Sequence, residues 1–117
     1  MQILETLGAQ GEIRIFRIDE LPRGIEPLEK EKGRYIIGHS ETGHHHVLEA
    51  EHPQVYQAKD APDGMRVLYA ILETPGSLEH LREHDTHAPH ALGPGIYMFR
   101  TDREFDHYEK LARAVAD

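Results

Sequence analysis

Short apolar runs separated by turn-forming residues alternate along the chain. The runs are rich in Ile, Val, Leu, Phe and Tyr, and a Pro or Gly interrupts them about every ten positions. This spacing is typical of an all-β sandwich or barrel, in which each short strand ends at a turn. We therefore predict strands over residues 12–18, 34–37, 44–50, 54–58, 65–72 and 95–100.

Residues 77–84 (SLEHLREH) fit two structures. In a short helix beginning at Ser77, His80 and His84 share one face, because residues four apart are neighbours on a helix. In a strand, Leu78 and His80 share a face instead. We favour a strand or irregular backbone, because Pro89 and the turn residues before the segment leave a helix little room.

The end of the chain predicts an amphipathic helix over about residues 102–116. Thr101 and Glu104 have the spacing of a capping box. The apolar residues that follow form one stripe at helical spacing. The predicted fold is therefore a single domain over residues 1–117, mainly β. It is a small antiparallel β-barrel or a double-sheet jelly roll of seven or eight strands, with one C-terminal helix.

Composition excludes several classes of protein. The chain has 117 residues, no cysteine and a formal net charge of −8 at pH 7. Disulfides and thiolate metal sites are therefore excluded, and an acidic domain is a poor partner for nucleic acid. With no apolar run of about 20 residues and no signal-peptide pattern, we expect a soluble, cytoplasmic protein with no membrane partner. An exposed strand edge makes a homodimer a reasonable expectation.

Clustered histidines are the strongest chemical feature of the sequence. Nine of the ten fall in two segments, residues 39–52 and 80–90. Neutral imidazole is the commonest metal ligand in proteins, so the clusters predict a divalent metal site. If residues 44–50 are extended, His44 and His46 point to the same face and His45 to the other. The predicted further ligands are a carboxylate (Glu51, else Glu49) and one of His84, His87 and His90.

Gly38-x5-His44-x-His46-x4-Glu51 resembles the first motif of the cupin superfamily. The resemblance implies a β-barrel that binds a divalent ion through these two histidines and the glutamate. In cupins a second motif supplies one more histidine. That motif is not found here, and Ala58 stands where the first motif ends in Gly. Imidazole and carboxylate ligands suit Fe, Mn, Ni or Zn, and the lack of thiolate favours the first three.

Two functions fit these residues. The first is a metal-binding β-barrel, either structural or a cupin-like metalloenzyme acting on a small molecule. The second is a non-enzymatic accessory or assembly module, of a kind that also occurs in phages, whose histidines lie on the surface or respond to pH. Ten imidazoles with ordinary pKa values near 6.5 would offset much of the negative charge on mild acidification.

Overall fold

The structure, a computed structural model, describes residues 1–39, 45–62, 64–81 and 89–101. These residues form β-strands and no helix, and so contain no helix that could span a membrane. The predicted C-terminal helix, at about 102–116, lies outside the described residues. The ten strands are β1 (Ile3–Gln10), β2 (Ile13–Ile18), β3 (Ile25–Pro27), β4 (Tyr35–Gly38), β5 (His46–Glu49), β6 (Gln54–Ala58), β7 (Arg66–Leu72), β8 (Gly76–His80), β9 (His90–Leu92) and β10 (Gly95–Thr101).

The strands form two antiparallel sheets. The six-stranded sheet has the order β1-β2-β10-β7-β6-β3, and the four-stranded sheet has the order β4-β5-β8-β9. Each sheet keeps two edge strands, so the described strands do not close into a barrel. The prediction of a mainly β, antiparallel fold is confirmed. The closed-barrel alternative is not what these strands form, because their hydrogen bonding divides them into two open sheets.

The turn spacing located six of the strands. The predicted runs 12–18, 34–37, 44–50, 54–58, 65–72 and 95–100 correspond to β2, β4, β5, β6, β7 and β10. The ambiguous segment is a strand at Gly76–His80, as we favoured. The sequence analysis did not predict β1, β3 and β9. Most of β1 is exposed, so it lacks the alternation of apolar and polar residues that marks a half-buried strand.

The principal core lies between the two sheets. It joins Ile15 and Phe99 of the six-stranded sheet with Leu48, Leu78 and Leu92 of the four-stranded sheet. Each contributing strand places alternate residues on this face, as the two-residue period of a strand requires. Burial of these side chains is the main stabilisation of the fold, at roughly 1.5–3 kcal/mol for each large apolar side chain.

A second apolar cluster lies on the opposite face of the six-stranded sheet. Its buried members come from the three strands β2, β7 and β10, and they are Phe16, Ile18, Val67, Tyr69 and Met98. These strands therefore bury side chains on both faces, which explains the continuous apolar run of β7. Burial also raises the pKa of the Tyr69 phenol.

The first strand, β1, is an edge of the six-stranded sheet. It leaves Ile3 and Leu4 about half exposed, at 47% and 50%. Its beginning is fixed to the end of β2, because the Gln2 amide donates to the Asp19 carboxylate at 2.6 Å and the Asp19 amide donates to the Gln2 carbonyl at 3.1 Å. A homodimer that pairs through such an edge stays a prediction.

We predict that Leu78→Ala lowers the free energy of unfolding by about 2–5 kcal/mol, because it leaves a cavity at a fully buried position. The exposed Leu4 provides the matched control, and Leu4→Ala is expected to change stability by less than about 0.5 kcal/mol. Urea denaturation of both variants measures the difference. Equal effects would show that Leu78 is not in the core.

The Asp19 carboxylate provides a pH-dependent prediction. Its hydrogen bond from the Gln2 amide lowers the pKa of the carboxyl below its ordinary value. A lowered folded pKa means that the stabilisation is present at neutral pH and is lost as pH falls through the lowered pKa. We expect the Gln2 amide resonance to titrate in that acidic range in the wild type. In Asp19→Asn the same resonance should not titrate, and a titration that survives the substitution would contradict the assignment.

Candidate functional site

The register between β5 and β8 turns two histidines towards the core. His46 lies opposite His80, and Leu48 lies opposite Leu78. Both leucines belong to the principal core, and side chains two residues apart in a strand share a face. His46 and His80 therefore lie on the inner face of the four-stranded sheet. His46 begins β5 and His80 ends β8, so the pair lies next to the two leucines at one end of these strands. The pair therefore marks this end of the core.

A third histidine lies on the same inner face. His90 of β9 is opposite Leu78 of β8, and it precedes the buried Leu92 by two residues. The rule of alternation places His90 on the side of Leu92. We call His46, His80 and His90 the inner histidine group. All three are partly buried, and they come from three adjacent strands.

Two rings of this group are stacked. The centroids of His46 and His80 are 4.3 Å apart and the ring planes are 9° from parallel. In such a stack each ring covers a face of its neighbour, and the nitrogen-bearing edges remain directed to other groups. The stack therefore holds the His46 ring in place without using its nitrogens.

A buried glutamine from the other sheet contacts His46. Gln10 of β1 is only 3% exposed, and it pairs with Ile13, whose side chain is in the core. Its Nε2 donates to the Leu78 carbonyl at 2.8 Å, and its Oε1 lies 2.7 Å from His46 Nδ1. The amide oxygen can only accept, so Nδ1 of His46 carries the proton. A neutral His46 then has its lone pair on Nε2.

His90 has the same tautomer as His46. Its Nδ1 lies 3.3 Å from the Ala91 carbonyl oxygen, which can only accept a hydrogen bond. Nδ1 is therefore the donor in this contact, and the lone pair of a neutral His90 is on Nε2. Both histidines thus have the same tautomer, with the lone pair of the neutral ring on Nε2.

Each of these nitrogens lies against a glycine at the end of β1 or in the turn after it. A Cβ atom placed on Gly11, in the turn, would lie 3.3 Å from Nε2 of His46, and one placed on Gly8, in β1, would lie 3.6 Å from Nε2 of His90. A side chain at Gly11 would therefore crowd the His46 ring.

A separate polar network lies on the outside of the molecule. His39 Nε2 donates to Glu31 at 2.8 Å, and Arg66 donates to His39 Nδ1 at 3.0 Å. The His45 ring lies edge-on to His39, with centroids 5.3 Å apart. Arg66 also donates to the carbonyl of Ile37, so it joins β7 of one sheet to β4 of the other. Both nitrogens of His39 are engaged, and the network acts as a tie between the sheets.

The structure brings together some of the predicted ligands and separates others. His46 and His90 lie on one face, while His44, His84 and His87 lie outside the described residues. Glu51 is exposed beyond the end of β5. Glu49, the last residue of β5, is about 10 Å along the strand from His46 at 3.3 Å per residue, and Glu51 follows two residues later.

Glu49, the alternative carboxylate ligand, is held in an ion pair. Glu49 is exposed and forms an ion pair with Arg34 at 3.0 Å. Within the described ranges, no three His, Asp or Glu side chains are grouped so that they could hold a metal ion. Within the described residues, the inner histidine group therefore does not by itself form a metal site.

The sequence analysis missed two residues at this site. His80 could have been included, because it follows Leu78 by two residues in a segment for which we favoured a strand. Gln10 had no signal, because nothing in an exposed, unpredicted strand indicates a buried amide.

Comparison with known proteins identifies a family. A family model described as a domain of unknown function (DUF8820) matches residues 9–102. The chain belongs to this family. The matched part of the DUF8820 domain includes Gln10 and the whole inner histidine group, but it leaves out most of β1. No curated protein and no solved structure shows significant similarity to the chain.

Crowding of His46 by Gly11→Ala provides a test of this geometry in the DUF8820 domain. Gly11 has a φ of 59°, and an added Cβ would lie 3.2 Å from Cε1 of His46. Gly24 has a φ of 74° and nothing within 4 Å of an added Cβ, so Gly24→Ala is a control for backbone strain. Both variants should lose about 1–2 kcal/mol from the left-handed backbone. Only Gly11→Ala should move the His46 ring resonances, and unchanged resonances would contradict the contact.

Proposed function

We propose that the protein binds one divalent metal ion at the end of the core, with Nε2 of His46 and Nε2 of His90 as two of its ligands. The observation that carries the proposal is that the two rings have the same tautomer. Each donates from Nδ1 to an oxygen acceptor, and each directs Nε2 towards a glycine of the β1 region. Metal-bound histidines typically have this arrangement, in which the second nitrogen is held by a hydrogen bond.

The donor set fits a transition metal. Imidazole nitrogen suits Zn, Fe and Ni, and Mn is accommodated where carboxylate or water completes the coordination. The remaining protein ligands are sought among His44, His84 and His87. The predicted carboxylate ligand, Glu51 or else Glu49, stays a prediction.

The fold supports the cupin-like part of this proposal. Two antiparallel sheets packed face to face are the general form of a double-sheet jelly roll, and the candidate ligands lie on the inner face, as in cupins. An ion held by a few imidazoles keeps coordination positions for water or a small molecule. If the site is catalytic, the ion would polarise an oxygen of a small-molecule substrate or activate the bound water.

Metal titration of chelator-stripped, untagged protein tests the proposal. We expect one equivalent of Zn²⁺ or Ni²⁺ to bind by calorimetry, and the same stoichiometry by metal analysis. His46→Ala and His90→Ala should each weaken binding by more than about 10-fold, because each removes a ligand. His52→Asn is the control, since His52 is exposed, and its φ of 47° is tolerated by Asn.

The outcomes separate the two functions considered above. Equal metal affinity in His46→Ala, His90→Ala and His52→Asn would exclude this ligand set. If the wild type binds no ion, the pH-responsive module is tested by sedimentation at about pH 5.5 and 7.5 with chelator present. A change in mass between the two would support that alternative.

A further inference from the structure

We propose that Gln10 is a positioning residue of the metal site, which fixes the tautomer of His46 so that Nε2 is the nitrogen that binds the ion. This inference rests on the proposed metal-binding function. Gln10 does not contact the ion in this proposal. It acts through His46, from the edge strand of the opposite sheet.

The hydrogen bonds of Gln10 give the direction of the effect. A glutamine amide can present either its oxygen or its nitrogen to a neighbour. Here the Nε2 group is committed to the Leu78 carbonyl at 2.8 Å, so the oxygen faces His46 at 2.7 Å. The reverse orientation would place two oxygens together at Leu78. The β8 backbone therefore orients Gln10, and Gln10 in turn orients the proton of His46.

Burial of Gln10 makes its two hydrogen bonds costly to break. Gln10 is 3% exposed, and a buried amide that loses its partners costs about 1–3 kcal/mol. Rotation of the amide away from His46 would break both hydrogen bonds at once. The His46 ring is also confined by its stack on His80, so a ring flip that exchanged the two nitrogens would have to disturb both contacts.

The tautomer matters because it decides which nitrogen of His46 can bind an ion. Gly11 directly follows Gln10, and an added Cβ there would lie 3.3 Å from Nε2 of His46. One short segment thus contacts the ring at both Nδ1 and Nε2. A ring protonated on Nε2 would have no lone pair on that nitrogen for an ion.

Two variants separate positioning from packing. Gln10→Leu and Gln10→Glu both lose the donor to the Leu78 carbonyl, so both are expected to lose stability. Only Gln10→Leu loses the acceptor for His46 Nδ1, because the carboxylate of Gln10→Glu can still accept. We expect Gln10→Leu to weaken Zn²⁺ binding by about 10- to 100-fold at pH 8, and Gln10→Glu to restore binding to within a few-fold of the wild type.

Nitrogen-15 spectra of the histidine rings give an independent readout on the metal-free protein. We expect His46 to be protonated on Nδ1 in the wild type and in Gln10→Glu, and to gain the Nε2-protonated form in Gln10→Leu. A wild-type His46 protonated on Nε2 would overturn the inference without any variant. Equal losses of Zn²⁺ affinity in the two variants would also overturn it, because they would show a structural role only.

The same spectra distinguish failure of the inference from failure of the proposed function. If the wild type binds no Zn²⁺ but its tautomer changes in Gln10→Leu, the metal function fails and the control of the tautomer by Gln10 stands. If the wild type binds Zn²⁺ and Gln10→Leu changes neither affinity nor tautomer, the metal function stands and Gln10 is not its positioning residue.

Discussion

The antiparallel register between β5 and β8 is the constraint on which the candidate site depends. It pairs Leu48 with Leu78 in the core, and by alternation it also pairs His46 with His80 on the same face. A slip of one residue would turn all these side chains to the opposite face. The leucines are the apolar side chains that hold the register, since their exposure would be costly. The histidines are turned inward as a consequence.

Inward histidines need polar partners, and the opposite sheet supplies one. A polar group buried without a hydrogen bond costs several kcal/mol in an apolar surrounding. Gln10 extends from β1 to both β5 and β8 and satisfies two groups there. Because it also lies beside the turn that begins with Gly11, it fixes the end of the edge strand β1 against the four-stranded sheet. The same contact therefore serves the packing of the two sheets and the chemistry of the histidine.

The sequence was sufficient to locate seven of the ten described strands, but not their arrangement. Turn residues and apolar runs are local signals, so they located six strands and favoured a seventh. The pairing of β2 with β10, in which Ile18 lies opposite Ile96, joins distant parts of the chain that no local pattern connects. For the same reason, strand alternation predicted that His46 and His45 point to opposite faces, but it could not predict the contact of His46 with Gln10. Alternation likewise could not decide between the predicted carboxylates, because a strand carries Glu49 about 10 Å from His46 at about 3.3 Å per residue and Glu51 follows the end of the strand.

The position of β8 determines what an ion at this site would require. β5 and β9 are separated by β8, so His46 and His90 come from strands about 10 Å apart, or two strand spacings. An ion must lie about 2.0–2.1 Å from each imidazole nitrogen, so both rings must lean over β8 to share it. The register adds to this distance, because His46 lies opposite His80 whereas His90 lies opposite Leu78, two residues away along β8. His80 comes from the strand between the two candidate ligands, and its ring stacks on that of His46. An ion bound by both His46 and His90 therefore depends on the position of the His80 ring as directly as on the two imidazoles themselves.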